Sequence, residues 1–492
     1  MRLKPYAAAA SFVLLLFILA FSFLTKLAYV PIRIWDEGRV VTNALNMYLN
    51  GNWIVTHFDG KPDMWNTKPP LLIWLQVLSM KLFGISEWSV RFPSAMASML
   101  TGLTLWYFCK RYFHKPWLGF VAGCVLASTY PYIFNHAGRT GDYDALLTLF
   151  NTIYCISFYL FCKTTKNKWL LSFFTFLTLA ALTKGIAGLL LTPALFIYAV
   201  TQKRLLLFLK NKWLYAGAVS FLCIVVGYYF LRDHYNPGYI KAVWKGELGS
   251  YPKTLNKHNH PFLWYITNII TWRYPYWFLF VIPAFVYGFL SSSEKVRSVT
   301  LFNLTMVVPF LFIISIAKTK LFWYDLPVYP FLSLQIGLML YSLWLYIQEA
   351  LEPFQWQQKI VAALFLFMLI FTIPFKRVYT HNRHISTGWP WDLDVAERNE
   401  GLFIQQAIRH KQDLNNYVFC YDACDRCHGQ IDFYITLLRS KNVNVRFQEN
   451  LDSLTPGSYV VVSQPEMKER LESSYHVQKE KEAYGCFVYK LK

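Results

Sequence analysis

Residues 34–70 read IWDEGRVVTNALNMYLNGNWIVTHFDGKPDMWNTKPP. The stretch follows an apolar run and opens on two adjacent carboxylates, Asp36 and Glu37, with Arg39 close behind. It closes on Lys68, ahead of Pro69 and Pro70. A solvated helix end would explain a pair of carboxylates. Carboxylates beside a membrane span are costly, however, and where present they often mark function.

The chain on either side is membrane sequence. Of 492 residues, 55% are apolar and 19% aromatic, while only 15% are charged. The mean hydropathy is +0.29. That is too apolar for an ordinary soluble protein. A crossing helix needs about 20 apolar residues. The apolar runs predict about eleven spans by this measure, near 7–30, 89–108, 116–134, 144–162, 168–183, 186–201, 213–231, 265–290, 298–317, 323–346 and 358–375. The run at 70–84 is too short to cross and reads as a helix lying at the interface. The first run, Tyr6 to Tyr29, is long for a signal peptide and lacks a downstream cleavage pattern, so it reads as an uncleaved helix.

The net charge of +20 does not point to nucleic acid. Lys and Arg collect in the short loops 109–115, 162–168, 201–212 and 291–297. With the N-terminus cytoplasmic, all of these face inward, as the positive-inside bias requires. Anionic membrane lipids account for much of the basic excess. The carboxylate-bearing loops, the segment 232–264 and the tail then face outward. From residue 376 the composition changes. The runs at 417–421, 443–447, 459–463 and 486–491 read as strands, and 396–411, 430–440 and 465–472 as helices. The expected architecture is a polytopic helical domain, 1–375, followed by an extracytoplasmic α/β domain, 376–492.

Several polar clusters interrupt the apolar sequence. His136 to Asp144, HAGRTGDYD, supplies Arg139, Asp142 and Asp144. A charged turn with Asp capping the next helix explains it equally. Lys184 sits in a polar break, either snorkelling or touching a phosphate. The loop 232–264 offers Arg232, Lys245, Glu247, Lys257, His258 and His260. Lys318 and Lys320, with Trp323, Tyr324 and Asp325, lie on the outer side against the inside bias, which suggests an anionic partner there. Cys420, Cys424, Cys427 and His428 contain a haem-attachment pattern. With no haem-binding domain around them, a disulfide within the group or to Cys486 is the stronger expectation. A zinc site is a further option.

These residue types suit transfer of a sugar from an activated phosphate. One carboxylate takes the acceptor's proton, an effect worth about 10²–10⁴ in rate. Cations steady the departing phosphate. A glycoside hydrolase would instead need a carboxyl pair across the bond. A transporter or flippase of lipid-linked sugars is the alternative, and it calls for ionisable groups near mid-bilayer rather than at span ends. A membrane-anchored binding protein, with its outer domain as the working part, would leave the polar loops unexplained.

WDEGR (35–39), GNWIVTHFDGKP (51–62), TKPPLLIWLQVLSMKLFGISEWSVRFPSAM (67–96), RTGDYDALLTLF (139–150), LTKGIAGLLLTP (182–193) and KTKLFWYDLPVYPFLSL (318–334) occur in that order. In this ordered set the chain resembles the GT-C glycosyltransferases, in the branch of the lipid A aminoarabinose transferases and the bacterial relatives of protein O-mannosyltransferases. The resemblance implies a polyprenyl-phosphate sugar donor, inverting transfer, and an active site at the outer face of a bacterial plasma membrane. The acceptor would be a lipid such as lipopolysaccharide, another glycan or a protein. It implies Asp36 as base, with Glu37 beside it, and Lys68 on the lipid phosphate. Arg39 and Asp144 would line the cavity, and Tyr324 would stand near the donor phosphate. Arg139, Lys184, Lys318 and Lys320 are the further candidates for the donor. No cofactor is established, and a divalent metal is left open. Thr67 stands where aminoarabinose transferases carry a metal-associated Glu before Lys-Pro-Pro, so no metal ligand is carried over.

Overall fold

The computed structural model describes residues 5–133, 136–248, 258–352, 355–384, 395–421 and 429–492. Helix α1 (Pro5–Leu24) is followed by a connection and then α2 (Asp36–Asn50). Helix α2 starts after Trp35, which holds a left-handed φ of 64°, and ends at Gly51, whose N–H reaches Met47 O at 3.0 Å. Strands β1 (His57–Phe58) and β2 (Lys61–Pro62) form a hairpin turned at Asp59-Gly60. Both turn residues have positive φ, the conformation that an Asp-Gly two-residue hairpin favours.

Helix α3 (Leu71–Phe83) starts directly after Pro69-Pro70. A Ser86–Ser89 capping box opens α4 (Glu87–Phe108), satisfying backbone donors at its start. Pro116 occupies the first position of α5 (Pro116–Ala127), where its missing N–H costs nothing. There follow α6 (Tyr130–Ile133), α7 (Tyr143–Thr164), α8 (Asn167–Lys184), α9 (Thr192–Thr201), α10 (Leu205–Leu209), α11 (Lys212–Tyr235), α12 (Tyr239–Val243) and α13 (Trp264–Asn268). The membrane part ends with α14 (Pro275–Leu290), α15 (Glu294–Ile316), α16 (Tyr329–Ala350) and α17 (Trp356–His384).

The expected apolar runs are largely helical. Among the described residues seven helices are long and apolar enough, or eight if Trp264–Arg273 and Pro275–Leu290, bent by 114°, form one broken span. The runs at 116–134 and 186–201 are interrupted. Ser128 and Thr129 separate α5 from α6, and a 3₁₀ turn over Gly185–Leu189 shortens α9. Helix α4 is long enough but carries Glu87, Arg91 and several hydroxyl side chains. Helix α3, with 13 residues, is too short to cross, as expected.

Helix α7 is the centre of the bundle, with 89% of its apolar window buried, against 11% for α11 and α17. Those outer helices expose Leu222, Ile224, Phe230, Leu364, Phe365 and Leu369. Such a surface belongs in lipid, where every backbone group of a helix is already satisfied. The chain is a multi-pass membrane protein.

Helix α17 continues past residue 375 to His384, so the compositional change falls inside it. Beyond it lie α18 (Val395–Arg409), β3 (Tyr417–Cys420), α19 (Gly429–Arg439), β4 (Val445–Gln448), β5 (Tyr459–Val462), α20 (Pro465–Ser474), β6 (Val477–Ala483) and β7 (Cys486–Leu491). The strands form one sheet in the order β4-β3-β5-β7-β6. Strands β4, β3 and β5 are parallel, and β7 runs antiparallel to both neighbours. Strand β3 is buried throughout, as an apolar central parallel strand should be. Cys420 and Cys486 are buried free thiols, so neither is in the expected disulfide; Cys424, Cys427 and His428 lie outside the described residues.

This α/β portion rests on α2. A Cβ added to Gly38 would lie 2.5 Å from Gln430 N, and one added to Gly429 would lie 2.8 Å from Arg39 N. Thr42 Oγ1 donates to Gly429 O at 2.9 Å. Tyr434 OH donates to Glu87 Oε1 at 2.8 Å and accepts from Ile32 N–H at 3.0 Å.

Candidate active site

Trp35 turns the chain so that the two carboxylates after it part company. Glu37 points into the bundle. Its Oε1 accepts from Arg91 Nε at 2.7 Å and from Gly141 N–H at 2.8 Å. Its Oε2 accepts from Arg91 Nη2 and from Arg33 N–H, both at 2.9 Å. Burial alone would raise the Glu37 pKa, but Arg91 and the two backbone donors hold it below the usual carboxylate range. Arg91 also donates to Leu27 O, Val30 O and Pro31 O at 2.7–3.0 Å, pinning the connection between α1 and α2. Both oxygens of Glu37 are thus engaged. They anchor this connection, and Glu37 does not line the cavity at the start of α2.

Arg39 also turns away from the cavity. Its Nε and Nη2 donate to the two oxygens of Asp63 at 2.9 and 2.8 Å, and its guanidinium covers Phe58 at 3.5 Å from the ring centroid. Asp63 Oδ1 in turn accepts from Trp65 N–H at 2.9 Å and Asn66 N–H at 3.2 Å. This fork sets the loop that presents Lys68. Burial opposes the charge on Asp63, but Arg39, Asn43 and Asn66 keep its pKa below the usual value.

Arg139 donates to Ser22 O at 3.0 Å and Thr25 O at 2.6 Å, capping the end of α1. Lys320 is buried and donates through Nζ to His260 O at 2.9 Å and to Ala317 O. Lys318 is exposed. None of Glu37, Arg39, Arg139, Lys318 and Lys320 lines the cavity that opens beside Asp36.

That cavity, of about 760 Å³, brings together Asp36, Lys68, Asp144, Lys184, Glu247 and Tyr324. They come from the start of α2, the loop before α3, the first turn of α7, the end of α8, the segment after α12 and the turn before α16. Lys184 Nζ donates to both Asp144 oxygens, at 2.6 and 2.8 Å, and stands 5.2 Å from the Tyr324 ring centroid. Lys68 Nζ lies 5.7 Å from the Tyr143 ring centroid and has no ion-pair partner among the described residues. Beyond the charged end the wall is apolar, with Leu147, Ile186, Leu190, Phe310 and Ile314.

Asp36 keeps 36% of its side-chain surface exposed. Its neighbour is His136, whose Nδ1 stands 3.8 Å from Asp36 Oδ2 and 3.3 Å from Asp142 Oδ2. The imidazole stacks on Trp323 with ring centroids 3.5 Å apart. Burial pushes the His136 pKa down to about 4, against the pull of Asp36 and Asp144. Burial, and then Asp36, Glu37 and Asp144, push the Asp142 carboxyl well above its usual range. Asp142 occupies the capping position of α7 without a side-chain cap bond; it faces His136 instead.

His136 has no sequence signature of a site residue, because one histidine at the head of a polar loop carries no spacing pattern. Glu247 belongs to a basic outer loop in the sequence, and in the structure it walls the cavity. It accepts from Thr67 Oγ1 at 3.0 Å. Among the described residues no three His, Cys, Asp or Glu side chains form a group that could hold a metal. His260 stacks on Trp264 at 4.4 Å.

Residues 67–229, which include Lys68, Asp144 and Lys184, match the family model described as dolichyl-phosphate-mannose-protein mannosyltransferase. The undecaprenyl phosphate-alpha-4-amino-4-deoxy-L-arabinose arabinosyl transferase of Aeromonas hydrophila is 27% identical over 321 residues, which is 64% of this chain and 57% of that protein. The chain spans 57–62% of the length of such curated relatives. The crystal structure of ArnT from Cupriavidus metallidurans bound to undecaprenyl phosphate matches with a TM-score of 0.69 and 16% identity, covering 98% of each chain. The oligosaccharyltransferase of Archaeoglobus fulgidus matches at 0.51 with 11% identity, over 94% of this chain and 70% of that one. The chain thus shares the fold of these two solved structures, and over part of its length it is similar in sequence to the arabinosyl transferases and to the mannosyltransferase model.

Proposed function

We propose that this protein transfers a sugar from a polyprenyl-phosphate carrier to an acceptor hydroxyl, with inversion, in the cavity between α2, α7 and α8. One observation carries the reading. An accessible carboxylate, Asp36, and a cation with no ion-pair partner among the described residues, Lys68, share a cavity whose far wall is apolar. Asp36 takes the acceptor's proton as its oxygen attacks the anomeric carbon. The bond from that carbon to the phosphate oxygen breaks, and the polyprenyl phosphate departs with the electron pair. Lys68 meets the charge it gains. One such stabiliser is worth about 3–4 kcal/mol of barrier. The Leu147–Ile314 wall receives the first isoprenoid units. Asp144 and Lys184 neutralise each other and hold the cavity's shape next to Tyr324.

The Aeromonas relative's name supports an undecaprenyl-phosphate donor, and its aminoarabinose is one sugar to test. A lipid acceptor fits first, with a glycan or protein acceptor as the alternatives. The Lys- and Arg-rich loops 109–115 and 162–168 lie at the helix ends opposite the cavity. Under the positive-inside bias this supports a plasma-membrane protein with its site facing outward. The Glu37–Arg91, Asp144–Lys184 and Arg273–Asp325 pairs all sit near helix ends rather than mid-span, which favours an enzyme over a flippase.

The test uses the full chain in lipid with a panel of polyprenyl-phosphate sugars and cell-envelope acceptors. A glycosylated product that is lost in Asp36→Asn and Lys68→Ala supports the reading. Donor crossing the bilayer without product formation would replace it with transport.

A further inference from the structure

A second cavity, of about 610 Å³, opens between the ends of α4, α7 and α8. The first cavity touches Asp144 at the start of α7 and Lys184 at the end of α8. The second touches Thr164 at the end of α7 and Lys166 and Lys168 beside the start of α8. Asp144 to Thr164 is about 30 Å of helix at 1.5 Å per residue, which is the thickness of the bilayer's hydrocarbon. The two cavities therefore open toward opposite leaflets.

Their chemistry also differs. The first mixes carboxylates with cations. The second carries cations only: Arg111, Lys166 and Lys168 stand at its mouth, and no acidic side chain lines it. None of the three forms an ion pair among the described residues, and all three are exposed. Below them the wall is apolar, with Leu103, Ile153, Ile156 and Leu160. Tyr107 and Trp169 flank it, as aromatic side chains do at a membrane–water boundary. Ser157 and Ser172, bonded to each other at 2.8 Å, close the trough between α7 and α8.

We propose that this trough binds one anionic phospholipid of the leaflet opposite the sugar-transfer cavity. Its phosphate would sit among Arg111, Lys166 and Lys168, and its acyl chains on the Leu103–Leu160 wall. Unpaired cations above an apolar groove match an amphiphile with an anionic head. With no carboxylate to take a proton, the site holds its ligand and does not react with it. A polyprenyl phosphate is the less suited occupant, because the cavity that brings Asp36 and Lys68 together lies in the other leaflet.

The test is lipid retention by the purified full chain, read by native mass spectrometry with dioleoyl phosphatidylglycerol or phosphatidylcholine added. We expect phosphatidylglycerol to be retained at least tenfold better. An Arg111→Gln/Lys166→Gln/Lys168→Gln variant should lose that preference, since each basic group near the surface contributes about fivefold. A Lys203→Gln/Lys210→Gln/Lys212→Gln variant removes the same charge outside the trough and should keep it. Thr104→Trp fills the trough without changing charge and should lower retention of phosphatidylglycerol; it carries the test if the first variant does not fold. Equal losses in the two charge variants would overturn the proposal, as would unchanged retention in Thr104→Trp. So would displacement of the lipid by free glycerol phosphate, or its one-for-one replacement by undecaprenyl phosphate.

Discussion

Lys184 Nζ lies 2.6 and 2.8 Å from the two oxygens of Asp144, and both side chains are at least nine-tenths buried. A pair held this way is costly to break from one side, because the remaining charge stays desolvated. Lys184→Gln or Asp144→Asn alone should each destabilise the protein by about 3–5 kcal/mol. The double variant should recover most of that loss. A double-mutant cycle by thermal unfolding in lipid measures it. Additive single losses would show that the two side chains act independently.

Gly38 and Gly429 hold α2 and α19 at backbone contact. In Gly38→Ala the new Cβ would lie 2.5 Å from Gln430 N and 2.8 Å from Gly429 C, neither of which is a flexible side-chain end. Helix α19 must lift from the helix that begins at Asp36. The expected cost is about 1–3 kcal/mol, with transfer activity falling alongside stability. Gly227→Ala in α11 is the contrast, since its Cβ meets nothing within 4 Å. Gly in a helix interior is less favourable than Ala by roughly 0.5–1 kcal/mol, so that variant should melt no earlier than the native protein.

The polar clusters were visible as clusters because charge between apolar runs is rare. Their division into working and anchoring groups was not. Glu37 and Asp36 are neighbours of one chemical type, yet Arg91, 54 positions away, takes Glu37. Arg39 is taken by Asp63, Arg139 by α1 carbonyls and Lys320 by His260 O. Such partners are set by the fold, and sequence proximity does not reveal them. Strand β6, VQKEKEA, was missed for a related reason. As the edge of the sheet it is mostly exposed and carries charge where alternating apolar residues would have signalled it. Ser, Thr and Gly break the helices within the runs at 116–134 and 186–201 without changing their mean hydropathy much, so these breaks carry little signal in the sequence.

His136 predicts a pH limb. Unfolded, it takes a proton near its ordinary value of 6.5; folded, only near about 4, chiefly because it is buried. Its contribution is complete above the unfolded value and is lost as pH falls from 6.5 toward 4, about 3 kcal/mol in all. Asp142, raised above the usual range, has the opposite sign: its contribution is lost as pH rises from 3.8 through its folded value. His136→Asn keeps a residue that tolerates the left-handed φ of 62°. It should flatten the limb between pH 6.5 and 4 in unfolding curves. An unchanged limb would assign it to another group.

Asp36 and Glu37 give the sharpest contrast. Asp36 is partly exposed in the cavity, with His136 3.8 Å away. Asp36→Asn keeps the size and removes only the proton acceptor, so transfer should fall by about 10²–10⁴ with the melting temperature nearly unchanged. Glu37 is buried and binds Arg91 through both oxygens. Glu37→Gln leaves the Arg91 charge buried without its counter-charge, a loss of about 3–5 kcal/mol. That loss should appear in stability first, and the fraction that remains folded should retain turnover, because Asp36 is still in place. Measuring melting temperature and turnover per folded molecule on both variants separates the roles. If Glu37→Gln abolished turnover while folding normally, and Asp36→Asn did not, the base would be Glu37 and the cavity would have to open toward Arg91.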